Sequence, residues 1–428
     1  MNAFYNKKLR YFVYLCSLIL GQSYIFLLLI LFSKDKISIN SITYLYSFIV
    51  LGTGFCSFGL NYNFIHLSVF FNNNLLIKKL YLSFIYLIII TSLIFGICII
   101  SFTDVTSLYS ISKLIFLFVF SITSITIYNL YSIVLISKDL IKRLLLINLI
   151  RIIITVLLFF VLRSLNYNGL NSFYIILIFS NFYILSYFFI TEKLYKILNI
   201  NLKRSFLFLY SIIKKNILNY INSLFLPFII SYINIYLYND LNNKNLNATY
   251  NVARYFSVFI SFLPNSFLQK KMPEFIIKSN QEKYFLLNII CNKILIQSLF
   301  FWILFVSTKF LIFNYFNLNV EGFFIYDMII SITTLTIITS IPGFYLNSKL
   351  DFKKTFLNNL IFTLILLLLF KYKLFNLKPL FFIYLILTFI FNIYLYIIDF
   401  KIYGQKVIFK TVIVSLFLIL YFKLYYNF

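Results

Sequence analysis

The sequence predicts an all-α polytopic membrane protein of twelve or thirteen transmembrane helices, and three observations carry that prediction. Hydrophobic residues make up 62% of the 428 residues and charged residues only 11%, against about 25% charged in a soluble domain; the mean hydropathy is +0.96. Apolar runs long enough to cross a hydrocarbon core about 30 Å thick recur from end to end with only short polar breaks. Lysine and arginine collect in alternate breaks, the signature of a multi-pass chain that keeps its positive loops inside. A β-barrel would need segments of about ten residues alternating apolar and polar, and that alternation is absent.

The expected spans lie near 11–32, 42–60, 81–103, 113–136, 144–162, 173–190, 216–238, 250–268, 292–313, 325–346, 356–370, 379–398 and 407–422. The N-terminal "MNAFYNKKLRYFVYL" runs into the first of these without a small-residue cleavage site, so 11–32 is expected to stay as a helix. With the N-terminus inside, the inner segments carry Lys7, Lys8 and Arg10, then Lys78 and Lys79, then Lys138, Lys142 and Arg143, then Lys193, Lys196, Lys203, Arg204, Lys214 and Lys215. The pattern continues in the inner segments of the second half, so the N-terminus is expected to be cytoplasmic. "KYKLFNLKP", 371–379, is the one outer loop that runs against it. Thirteen helices place the C-terminus outside and twelve place it inside.

The second span holds three of the nine glycines, Gly52, Gly54 and Gly59, within "GTGFCSFG". If 42–61 is one unbroken helix turning 100° per residue, Gly52, Cys56 and Gly59 form a small-residue strip against which another backbone can pack. Thr43, Ser47, Gly54, Ser57 and Asn61 then lie on the opposite side as a polar, cavity-lining strip, with tight packing on both sides as the plainer alternative. Later spans carry further polar strips: Asn148, Arg151 and Thr155; Ser223, Asn234 and Tyr238 near Pro227; Thr333, Thr336, Ser340 and Asn347 near Pro342. Pro227 and Pro342 each free a backbone carbonyl and are candidate kinks.

Three cations fall within spans: Arg151, Arg254 and Lys309. A charge at bilayer depth costs roughly 2.5–3.5 kcal/mol on insertion scales, so it is expected to face a wet interior. Arg254 is followed down its face by Ser257, Ser261 and Asn265. All eleven acids fall in loops or at span ends on this reading, so no intramembrane acid is expected to balance the cations. An unpaired cationic cavity suits a phosphate, which arginine can hold by two parallel hydrogen bonds; the alternative for each cation is snorkelling to a headgroup.

Other chemistry is thin. There is no phosphate-binding glycine loop and no H-E-x-x-H; the single histidine, His66, falls in an inner loop. Cys16, Cys56, Cys98 and Cys291 lack paired spacing for a disulfide or metal. No catalytic residue, metal or cofactor is expected, and the net charge of +26 is dispersed over loops rather than arrayed for nucleic acid. Transport is the better class. "NKKLRYFVYLCSL" at 6–18 matches "IKKNILNYINSL" at 213–224, and "ITYLYSFIV" at 42–50 matches "ATYNVARYFSVF" at 248–259, both at an offset near 207. Two six-helix bundles are therefore expected, 1–204 and 205–400, entering in the same sense about an axis along the membrane normal. Residues 401–428 are expected as a basic loop and an extra apolar helix.

The basic N-terminus, "FGL" at Phe58–Leu60 followed by "NYNFIHLSVFFNNN", and "TYNVARYFSVFISFLPNSFLQKKMPEF" at 249–275 resemble the O-antigen repeat-unit (Wzx-type) flippases. These belong to the multidrug/oligosaccharidyl-lipid/polysaccharide (MOP) exporter superfamily. That family commonly has an Asp before Phe-Gly-Leu, where this chain has Ser57. The resemblance implies a MATE-like fold and a multi-pass protein of the bacterial inner membrane. Its activity would be alternating-access movement of undecaprenyl-pyrophosphate-linked oligosaccharide, an O-antigen or capsule unit, to the outer leaflet during polysaccharide biosynthesis. Partners would be that lipid, the phospholipid bilayer and the polymerase and chain-length proteins of the pathway. A drug or small-molecule exporter of the same superfamily is the first alternative. A membrane glycan polymerase, which would want a long outer loop, is the second.

Overall fold

The computed structural model describes residues 36–60, 74–137, 140–167, 169–194, 203–215, 217–239, 244–277, 280–348, 353–372, 376–398 and 400–426, with scattered positions between 16 and 32. Lys7, Lys8, Arg10, Asp35, Asn61, His66 and Asp139 lie outside the described residues. Everything regular among the described residues is helical. That is what an apolar medium demands, because a helix satisfies its backbone donors and acceptors within the segment.

The helices are α1 (Lys36–Ser57), α2 (Asn74–Phe102), α3 (Ile111–Ser137), α4 (Ile141–Ser164), α5 (Gly169–Thr191), α6 (Lys203–Lys215) and α7 (Ile217–Asn239). They continue as α8 (Lys244–Ile277), α9 (Asn280–Ser307), α10 (Lys309–Tyr315), α11 (Phe323–Ser348), α12 (Lys353–Lys371), α13 (Leu377–Ile398) and α14 (Phe400–Tyr426). Cys16, Ser17, Leu20 and Tyr24 are helical within the expected first span. Ten of these segments are long and apolar enough to cross a membrane, which makes the chain a multi-pass membrane protein. α1 offers a shorter apolar stretch, Ser41–Ser57.

Contacts divide the chain into two compact units, Met1–Ser231 and Tyr232–Phe428, with the boundary inside α7. In the first, α3 is the hub: α1, α2, α4 and α5 all pack on it. In the second, α11 is the hub, packed by α8, α9, α13 and α14. Buried hydroxyls within helices mostly bond back to their own backbone, as Ser92 to Ile89, Ser124 to Phe120, Thr155 to Arg151 and Thr334 to Ile330. Hydroxyls that donate one turn back can sit in apolar packing without needing a partner from another helix.

Four expectations about elements are corrected. α1 ends at Ser57, and Phe58 and Gly59 turn at φ 50° and 62°, so 42–61 is not one unbroken helix. The ninth span breaks at Thr308, where the chain leaves α9 and starts the short α10. The inner segment 191–215 contains α6, and 401–406 is the beginning of α14 rather than a loop. In α6 the basic residues Lys203, Arg204, Lys214 and Lys215 fall within one arc of about 120° at 100° per residue, which leaves the opposite side to pack. Ser205 and Leu209 are buried on the apolar side, where α6 packs on α2.

Candidate functional site

Arg151 lies on α4 in the first unit, buried to 4% exposure. The face of α4 that carries it also buries Asn148, Thr155 and Phe159, each one or two turns away. One guanidinium nitrogen donates to Asn181 Oδ1 on α5 at 3.2 Å. The guanidinium carbon lies 3.5 Å from the centre of the Tyr24 ring and 5.5 Å from that of Tyr128 on α3. The surrounding polar groups are spent on one another. Tyr128 donates to Asn148 Oδ1 at 2.8 Å, Asn148 Nδ2 donates to the Ser17 carbonyl at 2.7 Å, and the Tyr24 and Ser180 hydroxyls share a 2.5 Å bond. Arg151 has no carboxylate partner among the described residues. Cation–π contact with desolvated rings is worth about 2 kcal/mol, whereas a buried ion's effective desolvation penalty is several, so the rings offset only part of the cost.

Lys309 is also buried, at 3%, but its situation differs. Its ammonium donates to Asp327 Oδ2 at 2.6 Å, and both side chains are almost wholly buried. Tyr426 and Tyr421 donate to the same oxygen at 2.6 and 3.0 Å, and Lys309 also lies over the Tyr425 and Phe323 rings. The expectation that no intramembrane acid balances the cations is therefore corrected at Lys309, and the snorkelling alternative for it is corrected too. The pairing follows from topology. Lys309 opens α10 and Asp327 lies in the second turn of α11, so the chain reversal between them brings both to one membrane face. The last turns of α14 then reach that same face, which places Tyr426 on the side of the 316–322 connection.

Arg254 is half-buried on α8. It has no hydrogen-bonding or ion-pairing partner among the described residues, and its charge reaches the hydroxyls of Tyr250, Tyr255 and, from α13, Tyr384. The Ser257 hydroxyl, on a side chain that is 5% exposed, donates to the Arg254 carbonyl at 2.6 Å. Ser261 donates to the Val258 carbonyl at 2.9 Å. Both serines are thus occupied by their own helix. Asn265 falls in α8, but its side chain is outside the described residues. Arg151 and Arg254 belong to different units.

The glycines separate by burial. A Cβ on Gly52 would stand 2.4 Å from Ile122 Cδ1 on α3 and 2.9 Å from Phe95 on α2. One on Gly59 would stand 2.9 Å from the Tyr220 backbone, and the carbonyl of Gly59 accepts from Asn219 Nδ2 at 2.7 Å. Gly54 and Ser57 are half-buried. A Cβ on Gly54 would meet Pro227 of α7 at 3.2 Å, and the Ser57 hydroxyl donates to the Gly54 carbonyl. Pro342 lies in α11, its side chain outside the described residues. Among the described residues no three His, Cys, Asp or Glu side chains are grouped to hold a metal ion.

No protein-family model and no curated protein matches the chain. Solved structures share its fold. The MATE multidrug transporter DinF-BH matches with a TM-score of 0.69 over 92% of this chain and 96% of that one, at 13% identity. A MOP superfamily transporter from Pyrococcus furiosus, described as having a binding pocket of reverse polarity that suggests a different function, matches at 0.60 over 90% and 94%, at 11% identity. The Vibrio cholerae MATE transporter VcmN in its bent form matches at 0.57 over 96% and 98%, at 11% identity. Likeness at such identities is likeness of fold: these helices are arranged as in the MATE transporters of the MOP superfamily.

Proposed function

We propose that the chain is a membrane exporter whose substrate carries a phosphate-bearing head, and specifically a flippase for polyprenyl-pyrophosphate-linked oligosaccharide in the bacterial inner membrane. The observation that carries this reading is Arg254, a half-buried arginine on α8 with no acidic neighbour among the described residues. A guanidinium left without a carboxylate is a donor set ready for phosphate oxygens. Lys309 drops out of the substrate set, because Asp327 already neutralises it. Gly54 and Ser57 remain as proposed cavity-lining positions, and Gly52 and Gly59 as packing positions. The N-terminus is proposed to be cytoplasmic and the polymerase and chain-length proteins to be partners.

A second reading, a small-molecule exporter, is favoured by one specific observation: a MATE multidrug transporter and a multidrug resistance MATE family transporter share the fold. One experiment separates them. In cells depending on this gene, Arg254→Ala should abolish surface polysaccharide while the protein stays in the membrane at its normal level and drug susceptibility does not change. Full complementation by Arg254→Ala would end the flippase reading. Drug sensitisation with intact polysaccharide would replace it with the second.

A further inference from the structure

The cage around Arg151 leaves two N–H donors unused. Arg151 Nε and Asn181 Nδ2 are both buried without a partner, and they belong to the two residues joined by the 3.2 Å bond between α4 and α5. The polar groups bonded around the guanidinium are engaged: Tyr128, Asn148, Ser180, Tyr24 and the Thr155 hydroxyl, which bonds the Arg151 carbonyl. The carboxylate just beyond the end of α5, Glu192, accepts from Tyr131 and lies eleven residues beyond Asn181, about 16 Å along the chain at the helical rise. A full positive charge and two orphaned donors thus lie on two residues bonded to each other in the first unit. Water would satisfy the donors and leave the charge; a carboxylate from the chain is absent among the described residues.

We propose that this spot binds a small monovalent inorganic anion, of which chloride is the abundant one, held by Arg151 Nε and Asn181 Nδ2 as the counter-ion of the buried guanidinium. The inference concerns the first unit alone and stands apart from the substrate reading, which rests on Arg254. The anion is structural: it replaces the carboxylate that Lys309 has and Arg151 lacks.

The test is thermal melting of the purified full chain in detergent at constant ionic strength, with gluconate replaced stepwise by chloride or bromide. Wild type should gain a saturable rise in Tm, about 2 °C or more, because an ion that binds only the folded state stabilises it by mass action. Arg151→Gln should not respond. Asn181→Asp places a carboxylate beside the guanidinium; it should be as stable in gluconate as wild type is in chloride, and indifferent to chloride. An equal response of wild type and Asn181→Asp would show a general salt effect and overturn the proposal, as would a wild type without response. Stabilisation by inorganic pyrophosphate where chloride gives none would hand Arg151 to the substrate and overturn it equally.

Discussion

Lys309 and Arg151 are two buried cations in one membrane protein, and they are kept by different means. Lys309 has a carboxylate at 2.6 Å whose bonded oxygen also takes two tyrosine hydroxyls. Arg151 has an amide oxygen, two aromatic faces and no acid among the described residues. In the first arrangement the charge is matched within the second unit and α14 is tied to α11 through Asp327 Oδ2, although Asp327 Oδ1 is buried without a partner. The second is open. The contrast teaches that a charge inside a span is not by itself a substrate contact, and that the partners decide which kind it is.

The strongest way to break the comparison is to strand Lys309. Asp327→Asn leaves an ammonium buried without counter-charge, which costs about 3–5 kcal/mol, so the protein should disappear from membrane fractions; normal accumulation would mean that Asp327 is not what matches the charge. A smaller effect should follow from Tyr426→Phe, which removes one donor to the charged oxygen, a bond worth about 1.5–3 kcal/mol. It should lower Tm without abolishing expression, and an unchanged Tm would show that α14 is not held through Asp327.

Packing gives a milder contrast within α1. Gly52→Leu forces a side chain against Ile122 and Phe95, and overpacking of this kind costs about 1–3 kcal/mol, so protein level should fall. At Gly54 an added Cβ meets side chains less closely than at Gly52, the Pro227 ring at 3.2 Å and Leu224 at 3.8 Å, so Gly54→Leu is the milder overpacking. It should accumulate normally and fail to export. If the Gly54 variant is lost and the Gly52 variant persists, the packed and open faces are reversed.

Much of the fold was legible in the sequence because apolar runs of membrane-spanning length leave few alternatives. All thirteen expected places hold helix, the first of them at scattered positions. The missed parts have physical reasons. α6 is thirteen residues long, too short to cross a bilayer, and its basic arc hides it among topogenic lysines. Asp327 looked like a span-end residue because the sequence separates it from Lys309 by 18 positions. Only the reversal between α10 and α11 puts them together, although two opposite charges flanking a short connection were signal enough to suspect it. Gly59 was assigned to a helix face by periodicity, whereas its positive φ places it in the turn that ends α1. Arg151 and Arg254 were visible as charges in spans. Their different surroundings were not, because those are set by side chains from other helices.

Reconstitution tests directly the proposed role of Arg254 toward an anionic lipid-linked substrate. Purified wild type and Arg254→Ala, matched in amount and Tm, are placed in liposomes carrying a fluorescent polyprenyl-pyrophosphate-linked oligosaccharide, and its movement across the bilayer is followed by quenching from one side. Wild type should transfer the lipid, and Arg254→Ala should lose at least about tenfold in rate, the equivalent of roughly 1.4 kcal/mol. Equal transfer by the two proteins, or none by an active wild type that moves a cationic dye instead, would contradict that role.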